Sequence, residues 1–429
     1  MNRFELTEDF AQSLDAADPL KGFRGQFLVP EQQGKQRMYF LGNSLGLQPK
    51  TTQGAINTIL RHWAEEGVES FFTGASPWLD LHQSLLEPLS VIAGAKPTEI
   101  SVMNQLTVNI HLMLVSFYRP VGKRTKILVE SKAFPSDQYA IHSFLEHLGL
   151  DPSEILIEIN AGSENVVMNN EDIVQMIERH SNELALVFLG GINYYTGQLL
   201  DMQQISKAAR EAGAMVGFDL AHAMGNVQLS LHDWDLDFAC WCSYKYLNGG
   251  PGAVAAVFVH ERHHADQALK RLTGWWGYNK EERFAMHNRF VPEPDATGWQ
   301  LSTPSILLYA CLQSSLDIFT QAGWTNILAK QEKMIAWLSA LITEIGSEHF
   351  TCLTPESRGS QVSLLFKEKG RLVYDRLFEK GFMVDWREPN VIRLAPVPLY
   401  NTFTEVWHFY SALKAIIFEV YANNNPVQA

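Results

Sequence analysis

The stretch VGFDLAHAMGNVQLSLHDWDLDFACWCSYKY, Val216–Tyr246, decides the reading of this chain. It continues a small apolar run, Ala214 to Phe218, that ends in Asp219. Such a run reads as a buried strand that delivers a carboxylate at its carboxyl end, where open α/β sheets place their ligands. A loop with Gly, His and Asp follows. A second apolar run, Phe238 to Ser243, then ends in Tyr244-Lys245-Tyr246 and is succeeded by Asn248-Gly249-Gly250-Pro251-Gly252. An acid and a lysine therefore stand at the ends of two predicted strands. Taken singly, each has a plain alternative, an acid capping a helix and a lysine on a surface loop. Taken as an ordered pair with a glycine turn behind the lysine, they point to one chemistry. A lysine among aromatic and small residues, sheltered from water, is suited to a Schiff base. An acid ahead of it keeps a pyridine nitrogen protonated, so that the ring serves as an electron sink. Together they imply pyridoxal 5'-phosphate.

Working outward, the predicted elements alternate. Glu8 to Leu14 is a short helix candidate. Pro49 to about Glu66 reads as a helix with Ile56, Ile59, Leu60 and Trp63 on one face, and Leu81 to Ile92 as a second amphipathic helix. Asn104 to Asn109 precedes an apolar helix, whose N-terminal N–H groups and Thr107 hydroxyl suit a phosphate, or make an ordinary helix cap. Strand Lys126 to Glu130 leads to Phe134-Pro135-Ser136-Asp137 and a helix from Tyr139 to Leu148. Strand 155–159, helix 171–180, strand 184–189 and helix 201–212 complete the approach to Asp219. Ala253 to Val259 is a strand after the lysine. Repetition of this kind implies an α/β fold with a mainly parallel sheet. A helical region runs from Pro304 to about Ile345. Strand 361–366, helix 370–380, strand Phe382 to Trp386, strand Val391 to Leu394 and a helix from Thr404 then form a small α+β domain. Arg393 lies inside an apolar strand, where a guanidinium needs a partner. That partner is a protein carboxylate or the α-carboxylate of an amino acid, which Arg grips with two parallel hydrogen bonds.

The motifs around both strand ends resemble those of the kynureninases, fold-type-I pyridoxal phosphate enzymes similar to aspartate aminotransferase. They are Phe218-Asp219-Leu220-Ala221-His222-Ala223 and Asp237 to Asn248. Further matches follow the family's order: Leu41 to Gly46, Asn104 to Asn109, Ala133 to Asp137, Tyr195 to Gln198 and Arg393 to Tyr400. The resemblance implies a large cofactor-binding domain over residues 49–300 and a small α+β domain over 301–429, which the N-terminal segment 1–48 joins. It implies that Lys245 carries the cofactor and serves as the base at the substrate's Cα, and that Asp219 faces the ring nitrogen. Leu106 and Thr107 are expected at the cofactor phosphate. Phe134 is expected on the pyridine face, with Pro135, Ser136 and Asp137 beside the cofactor. His222 is expected to support it, and Tyr244 to contact the phosphate and donate a proton. Trp275, read equally as a packed interface residue, falls near the phosphate. Thr303 stands where the family often has Asn, and Gly190 where some members carry Ser. Arg393 is expected on the substrate carboxylate, with Phe71 and Trp78 near its aryl ring. The implied reaction is hydrolytic cleavage of the Cβ–Cγ bond of L-kynurenine or 3-hydroxy-L-kynurenine. It gives L-alanine and anthranilate or 3-hydroxyanthranilate, in tryptophan degradation or on the way to a nicotinamide precursor. A homodimer with shared active sites is implied too, Trp275 and Thr303 reaching the partner's site.

Composition narrows the alternatives. A net charge of −13 argues against a nucleic-acid surface. No long uncharged run suits a bilayer and no signal-peptide core opens the chain, so a cytoplasmic location is the default expectation. Cys240, Cys242, Cys311 and Cys352 make no disulfide framework in 429 residues. Cys240 and Cys242 alternate on one predicted strand and read as packed thiols rather than metal ligands, and no metal is expected. Two other readings share the fold. A cysteine desulfurase or selenocysteine lyase needs a mobile catalytic cysteine, for which none of the four has an evident setting. A protein of this fold acting by binding alone is disfavoured by the presence of Asp219, Lys245 and Arg393 together.

Overall fold

The computed structural model describes residues 4–160, 167–346 and 348–422. The chain divides into two compact units. One comprises residues 52–194 and 199–317, the other residues 1–51, 195–198 and 318–429.

The first unit is built on seven strands: β1 (Ile100–Val102), β2 (Lys126–Glu130), β3 (Leu156–Ile159), β4 (Leu184–Gly190), β5 (Met215–Asp219), β6 (Phe238–Trp241) and β7 (Ala256–Val259). Their order across the sheet is β1-β7-β6-β5-β4-β2-β3. Five neighbouring strands, β6-β5-β4-β2-β3, run parallel, whereas β7 is antiparallel to both β6 and β1. The apolar runs of β4, β5 and β6 are buried almost throughout, as strands covered on both faces must be. Asp219 pairs in register with Gly190 on one side and Cys240 on the other.

Phe238 anchors the core beneath this register. Its ring stacks on Phe117 at 4.7 Å and on Phe188 at 5.8 Å between centroids. It lies over its neighbour Gly217, where a Cβ would fall 2.1 Å from the ring. A glycine there is what lets the aromatic stack close on the sheet. Asp237, one residue before β6, fixes the pairing. Its Oδ2 accepts the Val216 N–H at 2.7 Å, while Oδ1 accepts from His263 Nε2 at 2.7 Å and Arg262 Nη2 at 2.6 Å.

Several boundaries differ from the sequence reading. Pro49 belongs to a short strand, Gln48–Pro49, and the helix begins at Thr52. On that helix Ile59 is buried, but Leu60 and Trp63 are 41% and 63% exposed. Spacing defines an apolar stripe without saying what covers it. The helix expected from Tyr139 starts at Pro135, because proline is favoured at the first helical position. The strand expected from Ala253 is confined to β7.

The second unit carries a four-stranded antiparallel sheet of β8 (Phe350–Cys352), β9 (Val362–Phe366), β10 (Asp385–Arg387) and β11 (Val391–Leu394), in the order β8-β9-β11-β10. Its core joins these strands to helices Trp324–Ile345, Gly370–Glu379 and Phe403–Ala422 and to the helix Glu8–Ala16. The expected helical region to Ile345 is broken at Gly323, whose φ of 78° no helix accommodates. The expected strand from Phe382 to Trp386 splits into Phe382–Met383, paired with Met38–Tyr39, and β10. Among the described residues no helix is long and apolar enough to cross a membrane.

Candidate active site

Parallel pairing of β5 with β6 sets their outgoing loops side by side. The Leu220 N–H donates to the Cys240 carbonyl at 2.7 Å, which holds the loop after Asp219 against the strand that leads to Lys245. In consequence Lys245 Nζ lies 2.8 Å from His222 Nε2. The two residues line a cavity of about 250 Å³ together with Gln105, Leu106, Thr107 and Phe134, and with Asp137 and Asp219 on its wall.

Asp219 is buried and its Oδ1 accepts the Ala221 N–H at 2.7 Å. Burial raises its pKa, while the Ala221 N–H, Lys245 and a hydrogen bond from Asp137 all favour the ionised form. Asp137 is pushed well above the usual carboxylate range, first by burial and then by the charge of Asp219. Two buried acids in hydrogen-bond contact hold one proton between them. Asp137 is the member that holds it, and Asp219 the ionised acceptor.

Helix Leu106–Phe117 begins at the cavity, with Gln105 extended at its N-cap. The first N–H groups of a helix have no partner within it and attract anions. The Thr107 hydroxyl lies 2.7 Å from the Ser136 hydroxyl, so two alcohol groups from two helix starts meet at this edge. Phe134, 41% exposed, presents its ring at the cavity and packs edge-on against Tyr194 at 5.3 Å. Pro135 starts its helix and does not line the cavity. The Tyr244 hydroxyl has its pKa raised by burial and by the Cys242 thiol, so it is held as a proton donor.

The remaining expected residues lie elsewhere. Trp275 and Thr303 share a separate groove with Arg271, Leu272 and Ser302, and Trp275 is 45% exposed. Phe71 and Trp78 pack edge-to-face at 5.1 Å in a cluster with Ile59 and Ala310, and neither lines the Lys245 cavity. Arg393, in the second unit, is 1% exposed and donates from Nε to Asp385 Oδ2 at 2.6 Å, with Nη2 bonded to the same oxygen. A protein carboxylate is thus among its partners.

The sequence reading missed Glu130, Asn193 and Tyr194. Glu130 ends β2, lines the cavity and accepts from Asn193 Nδ2. Burial pushes its carboxyl up to about 7 despite that hydrogen bond, with Asp219 adding to the rise. The signal that found Asp219, an acid closing an apolar strand, was present here as well.

Outside this site Glu99, His232 and His260 come together at metal-ligand distances. Their hydrogen bonds account for the arrangement. Glu99 accepts from Lys96 N, Glu261 N and His232 Nδ1. His260 Nδ1 accepts from Arg262 N at 3.2 Å. The two imidazoles are stacked at 4.9 Å and 23°. All four cysteines are free, Cys240 and Cys242 being buried.

Residues 327–413 match the kynureninase C-terminal domain family. The chain is 48% identical to a kynureninase of Flavobacterium psychrophilum over 97% of its own length and 99% of that protein. It is also 48% identical to a kynureninase of Myxococcus xanthus, over 96% of this chain and 97% of the relative. The chain belongs to the kynureninase family. Solved structures resemble it at lower identity. The cysteine desulfurase CsdA of Escherichia coli superposes with a TM-score of 0.74 at 15% identity, covering 93% of this chain and 98% of the other. A C-DES variant with glycine linked to its PLP cofactor gives 0.72 at 16%, covering 88% and 96%. They show the fold, that of the fold-type-I pyridoxal phosphate enzymes. Kynureninase membership, rather than the desulfurase reading, accords with Cys240 and Cys242 being packed in the core.

The cavity suits pyridoxal phosphate on its own chemistry. Asp137 Oδ1 is buried with no hydrogen-bond partner among the described residues, and Asp219 beside it is an ionised acceptor. A helix start and two hydroxyls supply phosphate donors, Phe134 offers an aromatic face, and Lys245 supplies the amine.

Proposed function

We propose that this protein hydrolyses the Cβ–Cγ bond of L-kynurenine or 3-hydroxy-L-kynurenine, releasing L-alanine and anthranilate or 3-hydroxyanthranilate. Identity of 48% over nearly the whole length of a kynureninase carries the reading. When bound, pyridoxal phosphate supplies an electron sink for bond breaking at the substrate's Cα and Cβ. Leu106, Thr107 and Ser136 would hold its phosphate, Phe134 its ring face and Asp219 its ring nitrogen. Lys245 Nζ is the base that takes the Cα proton, and His222 Nε2, in contact with it, orients the amine. Asp137 holds its proton and keeps Asp219 negative. The Tyr244 hydroxyl, kept protonated by burial and Cys242, gives a proton to Cβ, the carbon that becomes the methyl group of L-alanine. Arg393 is the proposed grip for the substrate α-carboxylate.

The finer reading is a cytoplasmic homodimer, in tryptophan degradation or in supply of a nicotinamide precursor. Trp275 and Thr303, placed on a groove apart from Lys245, would serve the partner's cofactor site, and the exposure of Trp275 supports this. Phe71 and Trp78 would face the substrate's aryl ring.

The test is product formation from L-kynurenine and from 3-hydroxy-L-kynurenine with the cofactor present. Alanine with the matching anthranilate establishes the reaction, and the ratio of kcat/KM values gives the ring preference. No product from either substrate, with the cofactor's visible band intact, overturns it.

A further inference from the structure

Glu130, Gly190 and Asp219 close three adjacent parallel strands, β2, β4 and β5, with Gly190 in the middle. Asp219 and Gly190 are register partners. Because Gly190 has no side chain, the row of strand ends has a gap between two buried acids. The Glu130 carboxyl turns into that gap. A Cβ built on Gly190 would lie 3.5 Å from Glu130 Oε2, and the other oxygen is bound by Asn193 Nδ2. Glu130 also lines the cavity that holds Lys245. A buried carboxyl on the wall of this cavity, anchored through one oxygen and with the other at the gap beside Gly190, the register partner of Asp219, is placed to control charge.

We propose that Glu130 is a positioning residue of the active site, whose carboxyl fills the space left open at Gly190 and sets the charge felt by Asp219 and, through it, by the cofactor's ring. The groups that face it are Asp219 and Asp137, with Lys245 and His222 across the cavity. An ionised Glu130 adds a like charge beside Asp219 and strengthens its hold on a proton. A neutral Glu130 removes that charge and leaves Asp219 the weaker base. The carboxyl, pushed up to about 7, changes state near neutral pH. The inference rests on the pyridoxal phosphate site and not on the identity of the substrate.

Two variants test it, Glu130→Gln and Asn193→Ala. Gln keeps the shape and the acceptor for Asn193 while removing the titration. The first readout is thermal unfolding of the cofactor-free protein between pH 5 and pH 8. A carboxyl whose folded pKa lies above its unfolded value stabilises the fold at low pH, and that stability is lost as pH rises through the folded pKa. The Tm of Glu130→Gln relative to the parent protein therefore rises across this range. In Asn193→Ala, loss of a donor to the carboxylate moves the parent's decline to higher pH. The second readout is the pH midpoint of the visible absorption of the cofactor-loaded protein. It falls by about 0.5–1 unit in Glu130→Gln, since a nearby negative charge no longer favours the protonated cofactor. A Tm difference that stays flat with pH, together with an unchanged midpoint, overturns the proposal. If Glu130→Gln does not fold, an unmoved stability profile in Asn193→Ala overturns it alone. Neither readout uses substrate. Failure of the parent protein to cleave kynurenine would thus strike the proposed reaction and leave this inference standing.

Discussion

Lys245 Nζ and His222 Nε2 meet at 2.8 Å across two loops that leave neighbouring parallel strands. As an ammonium the lysine donates, so the imidazole accepts at Nε2 and carries its proton on Nδ1. The contact orients the amine toward the cavity. Lys245→Ala should lose both the visible cofactor band and all cleavage. His222→Ala should keep the band and lose about 10–100-fold in kcat/KM, the worth of about 1.5–3 kcal/mol for a charge-assisted hydrogen bond. Absorbance and steady-state kinetics check both. A yellow, active Lys245→Ala would remove the lysine from the site.

Tyr244 lines the Lys245 cavity, and burial and Cys242 raise its pKa and keep its hydroxyl protonated, which makes it the proposed proton donor. Tyr244→Phe removes the O–H and little else. It should lower kcat by about 100-fold or more, in keeping with general acid catalysis, with a much smaller change in KM. An equal rise in KM with unchanged kcat would mark the hydroxyl as a binding group instead.

Arg393 is buried beside Asp385, and Arg387 Nε reaches the same Asp385 oxygen at 3.2 Å. Arg393→Lys keeps a cation for Asp385 but loses the planar fork that holds a carboxylate by two hydrogen bonds. The expected result is a KM raised by about 10–100-fold with cofactor absorbance and Tm close to the parent values. An unchanged KM would confine Arg393 to its ion pair.

Asp237→Asn tests stability rather than chemistry. Burial alone would raise the Asp237 pKa, but hydrogen bonds from His263 and Arg262 and the charge of Arg262 outweigh it and leave the pKa lowered. Breaking one side of such a buried pair costs about 3–5 kcal/mol. Denaturant unfolding at pH 7 should show that loss. Because the folded pKa is depressed, the stabilisation is present above the unfolded carboxylate pKa of about 3.9 and disappears as pH falls through the folded value. The gap between parent and variant should therefore close in acid.

Much of this was legible in the sequence because burial and chemistry coincide there. The runs ending in Asp219 and Lys245 are apolar enough to announce buried strands, and the residues that follow them carry the site. Thr107, Phe134, Ser136, Asp137 and His222 were found through family motifs, and the fold brings them to one cavity. Glu130 ends a strand in the same way as Asp219, but the residues after it, Ser131-Lys132-Ala133, bring no glycine turn to mark it. Its role depends on Gly190, 60 positions away, having no side chain. The exposure of Leu60 and Trp63 could not be read either, since a helical stripe records only that an apolar face exists. Arg393 illustrates a third limit, because spacing required a carboxylate partner without naming Asp385.

The parallel register of the central strands has a consequence for synthesis. Gly190, Asp219 and Cys240 come abreast, with Glu130 at the neighbouring strand end, only when four separate segments have paired, and Lys245 is the last of the cavity residues to leave the ribosome. No shorter nascent chain contains the amine that the cofactor would bind. Attachment of the cofactor therefore comes only after β2, β4, β5 and β6 have all been made, and the visible absorption of the protein would report that its central strands are complete.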